Sequence, residues 1–201
     1  HALRERGLRA AGMKPVASGC ERVGGAWRNA DALALQAAGA PGIAYADINP
    51  FALEHPLAPE LAARDAGVEV SLPPIHAAHA RIAADVDALV VEGVGGWAAP
   101  LSASLMQADL VRTLRLPVLL VVGLRLGCLN HALLSARAIA ADGAHLAGWI
   151  GSHVDPAMER VEDNIAMLRA RLPAPCWGVL PHAPDADPAE MARHLRIPML
   201  A

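Results

Sequence analysis

Five short segments of this chain are apolar along almost their whole length, and that restricts the fold more than any other property. They are Arg9–Val16, Ala88–Glu92, Pro117–Gly123, His145–Gly151 and Cys176–Pro181. A strand with one face in water alternates polar and apolar residues; runs without alternation imply burial on both faces, as in a parallel sheet. Helical patterns separate them. Asp31–Ala38 ends at Gly39, Ile75–Val86 is Ala-rich, and Asn130–Asp142 carries Asn130 as N-cap and Gly143 just past its end. After Asp155-Pro156, read as an N-cap with proline at the first helical position, Met158, Val161, Ile165, Leu168 and Leu172 form one helical face that Pro173 and Pro175 terminate. Strands alternating with helices give an α/β fold around a mainly parallel sheet, with ligands at the carboxyl ends of the strands.

The 201 residues fit one domain, expected over 1–201, with no internal repeat or long linker; Ala40–Pro74 is the least regular stretch and reads as loop-rich. Only 3% of the residues are aromatic, so Ala, Leu and Val must build the core. A net charge of −3 without a basic block argues against a nucleic-acid partner. The longest apolar run, Leu116–Leu124, is too short to span a bilayer, and no secretory pattern opens the chain. Three scattered cysteines, Cys20, Cys128 and Cys176, read as reduced thiols, so a cytoplasmic location is expected. His1–Gly7 reads as the last turns of a helix closed by a glycine. The chain therefore starts inside an element, and an opening strand, loop and half helix are expected upstream.

Chemistry concentrates at strand ends. In G-M-K-P-V-A-S-G (Gly12–Gly19), Lys14 stands where a strand reaches the ligand edge, Pro15 restrains the next backbone step, and Ser18-Gly19 supplies a hydroxyl and a permissive turn. A surface lysine is the plain alternative; a compact cation suited to a phosphoryl or carbamate oxygen is the functional one. Glu92 ends a buried run and opens E-G-V-G-G-W, where a carboxylate can hold Mg²⁺ and Gly93, Gly95 and Gly96 admit a phosphate; a tight structural turn is the alternative. Asp31 either caps its helix or joins Glu92 as a second oxygen ligand. Gly127–Asn130 (Gly127, Cys128, Leu129, Asn130) sits between a strand and a helix, where free N–H groups accept carboxylates or phosphates. Cys128 has no partner base and is not read as a nucleophile. His76 and His79 share a helix face but lack a third metal ligand. His131, His153 and His182 lie near strand ends and can line a cleft.

Taken together, G-M-K-P-V-A-S-G, R-N-A-D-A-L-A-L-Q, V-E-G-V-G-G-W-A-A-P-L, L-P-V-L-L-V-V-G-L-R-L-G-C-L-N-H-A and L-A-G-W-I-G, in this order, resemble the dethiobiotin synthetase family. The resemblance implies a P-loop NTPase-like three-layer α/β fold and a homodimer with active sites at the subunit interface. It implies an ATP-dependent ligase that carboxylates 7,8-diaminononanoate with CO₂, phosphorylates the carbamate with MgATP, and closes the ureido ring with loss of phosphate. Carried over by motif, Lys14 is the catalytic lysine and Ser18 touches substrate. Asp31 and Glu92 hold Mg²⁺, and Glu92, Gly93, Val94 and Gly95 line the nucleotide site. Gly127–Asn130 receives the substrate carboxylate from the neighbouring subunit, and Pro181, His182 and Ala183 flank the adenine.

Two departures stand out. The family's Gly-rich loop ending in Gly-Lys-Thr is absent from these residues and is expected in the upstream sequence. Ser152 and His153 stand where the family commonly places an adenine-reading asparagine, which leaves base preference open, since a serine lacks the amide's paired donor and acceptor. Two other readings are a non-catalytic binding or regulatory module of the same fold and a related amidotransferase-type synthetase of cofactor biosynthesis. Retention of Lys14, Ser18, Asp31 and Glu92 together disfavours the first, and K-P-V-A-S-G with G-C-L-N-H disfavours the second.

Overall fold

The computed structural model describes residues 1–198; residues 199–201 of the expected domain lie outside the described residues. The chain divides into two compact units, Leu3–Leu110 and the described residues from Val111 onward with His1–Ala2.

The Leu3–Leu110 unit is built on short strands. Helix α1 (Ala2–Glu5) ends at Gly7, whose φ of +83° closes it as expected. The run Arg9–Val16 is two strands rather than one. Strand β1 (Ala10–Met13) stops before Lys14-Pro15, and β2 (Val16–Ala17) resumes with a different neighbour. Proline has no N–H to continue the ladder, so the run changes partner where Pro15 stands. A hairpin of β3 (Glu21–Val23) and β4 (Ala26–Arg28) leads into α2 (Ala30–Ala38). The stretch read as loop-rich contains α3 (Tyr45–Ile48), β5 (Phe51–Ala52), which pairs parallel with β2, and α4 (Pro59–Asp65). Helices this short bury few residues each and leave little periodic signal in sequence. Helix α5 (Leu72–Ala83), which buries Ile75, Ala78 and Ile82, delivers the chain to β6 (Ala88–Val91). A second hairpin, β7 (Pro100–Ser102) with β8 (Leu105–Met106), precedes α6 (Gln107–Thr113). Strands β1 and β6 pair parallel, Ala10 with Ala88 through Met13 with Val91.

The second unit contains β9 (Val118–Leu124), α7 (Cys128–Ala141), β10 (Leu146–His153), α8 (Val161–Arg171), β11 (Cys176–Leu180) and α9 (Pro188–Ala192). Strand β10 lies between β9 and β11 and pairs parallel with both. Helices α7 and α8 supply Ala132, Ala136, Ile165 and Leu168 to a core shared with Val122, Leu124 and Trp149. Successive strand side chains face opposite ways, so β9 turns Leu120 and Val122 to this core and Leu119 and Val121 away from it.

Three further expectations change. Burial on both faces does not hold for every run, since Val90 is 50% and Val121 62% exposed. The helix expected from Asp155-Pro156 begins instead at Val161. Asp155 closes a local turn, its carboxylate accepting from Ala157 N at 2.9 Å, and Arg160 adopts a left-handed φ of +55° that no helix continues through. Met158 still packs against the core, which is why the apolar spacing appears unbroken. Third, α7 starts at Cys128 behind Gly127, so Asn130 lies inside the helix rather than capping it.

Candidate active site

The parallel register of β1 and β6 assembles the central pair. Met13 is level with Val91, and Glu92 N donates to Met13 O at 2.7 Å. The next residues in line, Lys14 and Glu92, therefore leave the same sheet edge side by side. Lys14 Nζ lies 2.5 Å from Glu92 Oε1 and 2.9 Å from Asp31 Oδ2. The lysine is only 5% exposed, whereas both carboxylates open to solvent. Burial pulls the Lys14 pKa down, but the hydrogen bonds and charges of Glu92 and Asp31 outweigh it, and the net shift is upward from 10.5. Lys14 is thus a permanent cation at neutral pH, with its stem enclosed and its head between two accessible acids. It is also the sole lysine of the 201 residues; the other sixteen cationic side chains are arginines.

Asp31 reaches this position because it does not cap its helix. Asn29 does: its Oδ1 accepts from Asp31 N at 3.0 Å and from Ala32 N at 3.2 Å. The Asp31 carboxylate in the first turn is left to meet Lys14. Ser18 is half-buried after β2, and its carbonyl accepts from Asn29 Nδ2 at 3.5 Å. Beyond Glu92 the backbone turns through Gly95 and Gly96, with φ of +72° and +107°, a region that favours glycine. Gln107 Oε1 accepts from Val94 N at 3.4 Å, and its amide lies against Gly93, where a Cβ would come within 3.1 Å. Lys14, Asp31, Glu92, Gly93, Val94, Gly95 and Ser18 thus share one unit.

The remaining expected residues belong to the other unit. Gly127, with φ of +93°, turns the chain from β9 into α7; Cys128 N donates to Arg125 O at 3.0 Å, while the N–H groups of Leu129 and Asn130 meet no protein acceptor among the described residues. Free N–H groups at the start of a helix are of the kind that can accept an anion. The Cys128 side chain is buried in the core, where no substrate reaches its sulfur. At the carboxyl ends of β10 and β11, Ser152 is in register with Leu180. His153 and His182 meet edge to face at 6.2 Å, with His182 Nδ1 3.1 Å from the His153 carbonyl. Pro181, His182 and Ala183 are exposed there.

Among the described residues, no group of three or more His, Cys, Asp or Glu side chains is arranged to hold a metal. Asp31 and Glu92 still suit Mg²⁺, which takes hard oxygen ligands, keeps several waters and commonly binds through one or two carboxylates plus phosphate oxygens. His76 and His79 face no third ligand; burial, then the charge of His76, lowers the His79 pKa.

Four polar or charged side chains are buried among the described residues: Lys14, Asn29, Asn49 and Gln107. All four belong to the architecture of this site. Sequence reading reached only Lys14. Asn29 was recoverable from the N-cap preference of asparagine before a helix. Asn49, Gln107 and Tyr45 carry no local signal for the site, because the bonds that tie them to it, to Lys14, Val94 and Asn29, span 35, 13 and 16 positions.

The AAA domain family matches residues 1–190. The chain is 65% identical over 198 residues to the ATP-dependent dethiobiotin synthetase BioD of Xanthomonas oryzae pv. oryzae (strain PXO99A), covering 98% of this chain and 88% of that protein. It is 61% identical, with the same coverage, to the protein of that name from Xanthomonas campestris pv. campestris (strain B100). Against that of Xylella fastidiosa (strain 9a5c) the identity is 59% over 196 residues, 97% of this chain and 87% of the relative. With motif order, parallel α/β strands and similarity over 98% of this chain in agreement, the chain belongs to the ATP-dependent dethiobiotin synthetase family, within the P-loop NTPase-like folds.

Proposed function

We propose that Lys14 is the catalytic cation of a ring-closing, ATP-dependent ligase making dethiobiotin from 7,8-diaminononanoate and CO₂. The observation that carries this reading is the buried Lys14 stem with its ammonium between Asp31 and Glu92. Where every other fixed cation is an arginine, a lysine at this position fits a need for a compact point charge. One substrate amine attacks CO₂, forming a C–N bond and releasing a proton to give the carbamate. A carbamate oxygen attacks the γ-phosphorus of ATP and ADP leaves. The second amine attacks the carbamoyl carbon, the C–O bond to phosphate breaks, and the ring closes. Negative charge gathers on carbamate and phosphoryl oxygens at each stage, and Lys14 offsets it from a site needing little reorganisation.

Asp31 and Glu92 would hold Mg²⁺, which when bound neutralises phosphate charge. Gly93, Val94 and Gly95 would border the phosphates, and Ser18 would orient the diamine. The free N–H groups of Leu129 and Asn130 after Gly127 and Cys128 would accept the substrate carboxylate from a neighbouring subunit of a homodimer. Ser152, His153, Pro181, His182 and Ala183 would form the base side of the nucleotide site. The partners would be small molecules rather than nucleic acid, and the setting cytoplasmic; among the described residues no helix is long and apolar enough to cross a membrane.

The test is Lys14→Gln and Lys14→Arg in the complete gene product. Both should lower kcat by about 100-fold or more, the usual loss for one preorganised charge-stabilising group. Arginine should not rescue, because its longer planar head does not fit the enclosed space between two carboxylates. Turnover within about twofold of the parent for either variant removes Lys14 from the chemistry.

A further inference from the structure

A hydrogen-bonded chain links the backbone of Lys14 to the helix carrying Asp31. Asn29 N donates to Tyr45 Oη at 2.7 Å, and Tyr45 Oη donates to Asn49 Oδ1 at 3.1 Å. Asn49 Nδ2 donates to Lys14 O at 2.8 Å and to Phe51 O at 3.2 Å. The direction is fixed by chemistry. A backbone N–H can only donate, so the tyrosine oxygen accepts there and spends its own proton on Asn49. Two carbonyls can only accept, so the Asn49 amide has one orientation. Burial raises the Tyr45 pKa, which keeps the hydroxyl protonated for this role. The Arg28 guanidinium lies 4.1 Å from the Tyr45 ring centroid and holds the ring from one side. Lys14 N donates to Ile48 O at 2.8 Å, and Asn49 N donates to Tyr45 O at 2.8 Å. The single-turn helix α3 therefore grips both backbone polar groups of Lys14 while its tyrosine reaches the cap of α2.

We propose that Tyr45 and Asn49 are positioning residues that set the ammonium of Lys14 against Asp31 by tying the strand end of one to the helix cap of the other. The proposal rests on the reading of Lys14 as the catalytic cation. Neither residue reaches the reacting atoms; each acts through backbone it holds. Relaxing the chain lets the Lys14 and Asp31 backbones drift apart, and displacements near an ångström at a catalytic group are enough for large rate losses.

In the complete gene product, lysine labelled with ¹³C at Cε reports Lys14 independently of turnover, its resonance assigned as the one that Lys14→Gln removes. Tyr45→Phe keeps the ring over Arg28 and deletes only the hydroxyl; Asn49→Asp keeps the size and the acceptor but removes the donor. Both should move the Lys14 Cε resonance, as the ammonium shifts against Asp31 and Glu92. In the complete gene product the same variants should lower kcat by roughly tenfold or more while KM for ATP and diamine stays within about twofold. Ile165→Val, in the core of the other unit, supplies a stability control and should leave the resonance and kcat unchanged. An unmoved Lys14 resonance in Tyr45→Phe overturns the positioning role whatever the rate does. A moved resonance with unchanged kcat upholds the positioning and sinks the catalytic reading instead.

Discussion

Leu35 lies directly on Gly12: a Cβ built on that glycine would stand 2.6 Å from Leu35 Cδ2 and 2.9 Å from Leu35 Cβ. The missing side chain lets α2 settle onto β1 beside Lys14, which is how the helix bearing Asp31 comes within an ion-pair distance of the strand end. Gly12→Ala would ordinarily favour a strand by reducing chain entropy. Here overpacking should dominate, costing about 1–3 kcal/mol and lowering Tm by roughly 2–10 °C. Thermal unfolding checks it; an unchanged or raised Tm means Leu35 yields without cost.

Asn29 ties the first turn of α2 to its cap. Asn29→Ala removes the acceptor for Asp31 N and Ala32 N and should cost about 1–2 kcal/mol. Asn29→Asp, which keeps the acceptor, should recover most of that loss. Chemical denaturation of the three proteins distinguishes a lost cap from a general packing defect, in which both variants would fall equally.

The histidine pair on α5 makes stability depend on acidity. The His79 pKa is held below 6.5, by burial first and then by the charge of His76. Below 6.5 the unfolded chain therefore binds more protons at this position than the folded one. This contribution is fully present above 6.5 and is lost as pH falls through the folded pKa. Unfolding midpoints from about pH 7 to about pH 5 should fall less steeply for His79→Gln than for the parent; parallel curves would reject the assignment.

The cysteines should react in an order set by access. Cys20 and Cys128 are buried, and Cys176 is the more exposed thiol. Burial also raises the Cys20 pKa, lowering its thiolate fraction. An aromatic disulfide reagent should label Cys176 first under native conditions and reach the other two only on unfolding. Rapid native labelling of Cys128 would contradict its place in the core.

Much of the site was legible in the chain. Lys14 and Glu92 were found because each ends an apolar run, and parallel strands present their carboxyl ends at one edge. Asp31 was found, but its neighbour Asn29 takes the capping role. The break at Pro15 was read through as part of one run, although this residue lacks an N–H, and the change of strand partner was not legible, because β2 pairs with β5 across more than thirty residues. Asp155-Pro156 misled for a local reason: the carboxylate capped a turn instead of a helix, and only the left-handed Arg160 separates these outcomes.

By itself the sequence determined that the five apolar runs form strands, the order of the motifs and the chemical types at their ends, since periodicity, proline and glycine act over a few residues. Only the tertiary structure decided that Lys14 stands between Asp31 and Glu92, and that Tyr45 and Asn49 hold it there. Those contacts join residues up to 78 positions apart. They depend on strand register and on how closely α2 can approach β1, neither of which is written in any short stretch of the chain.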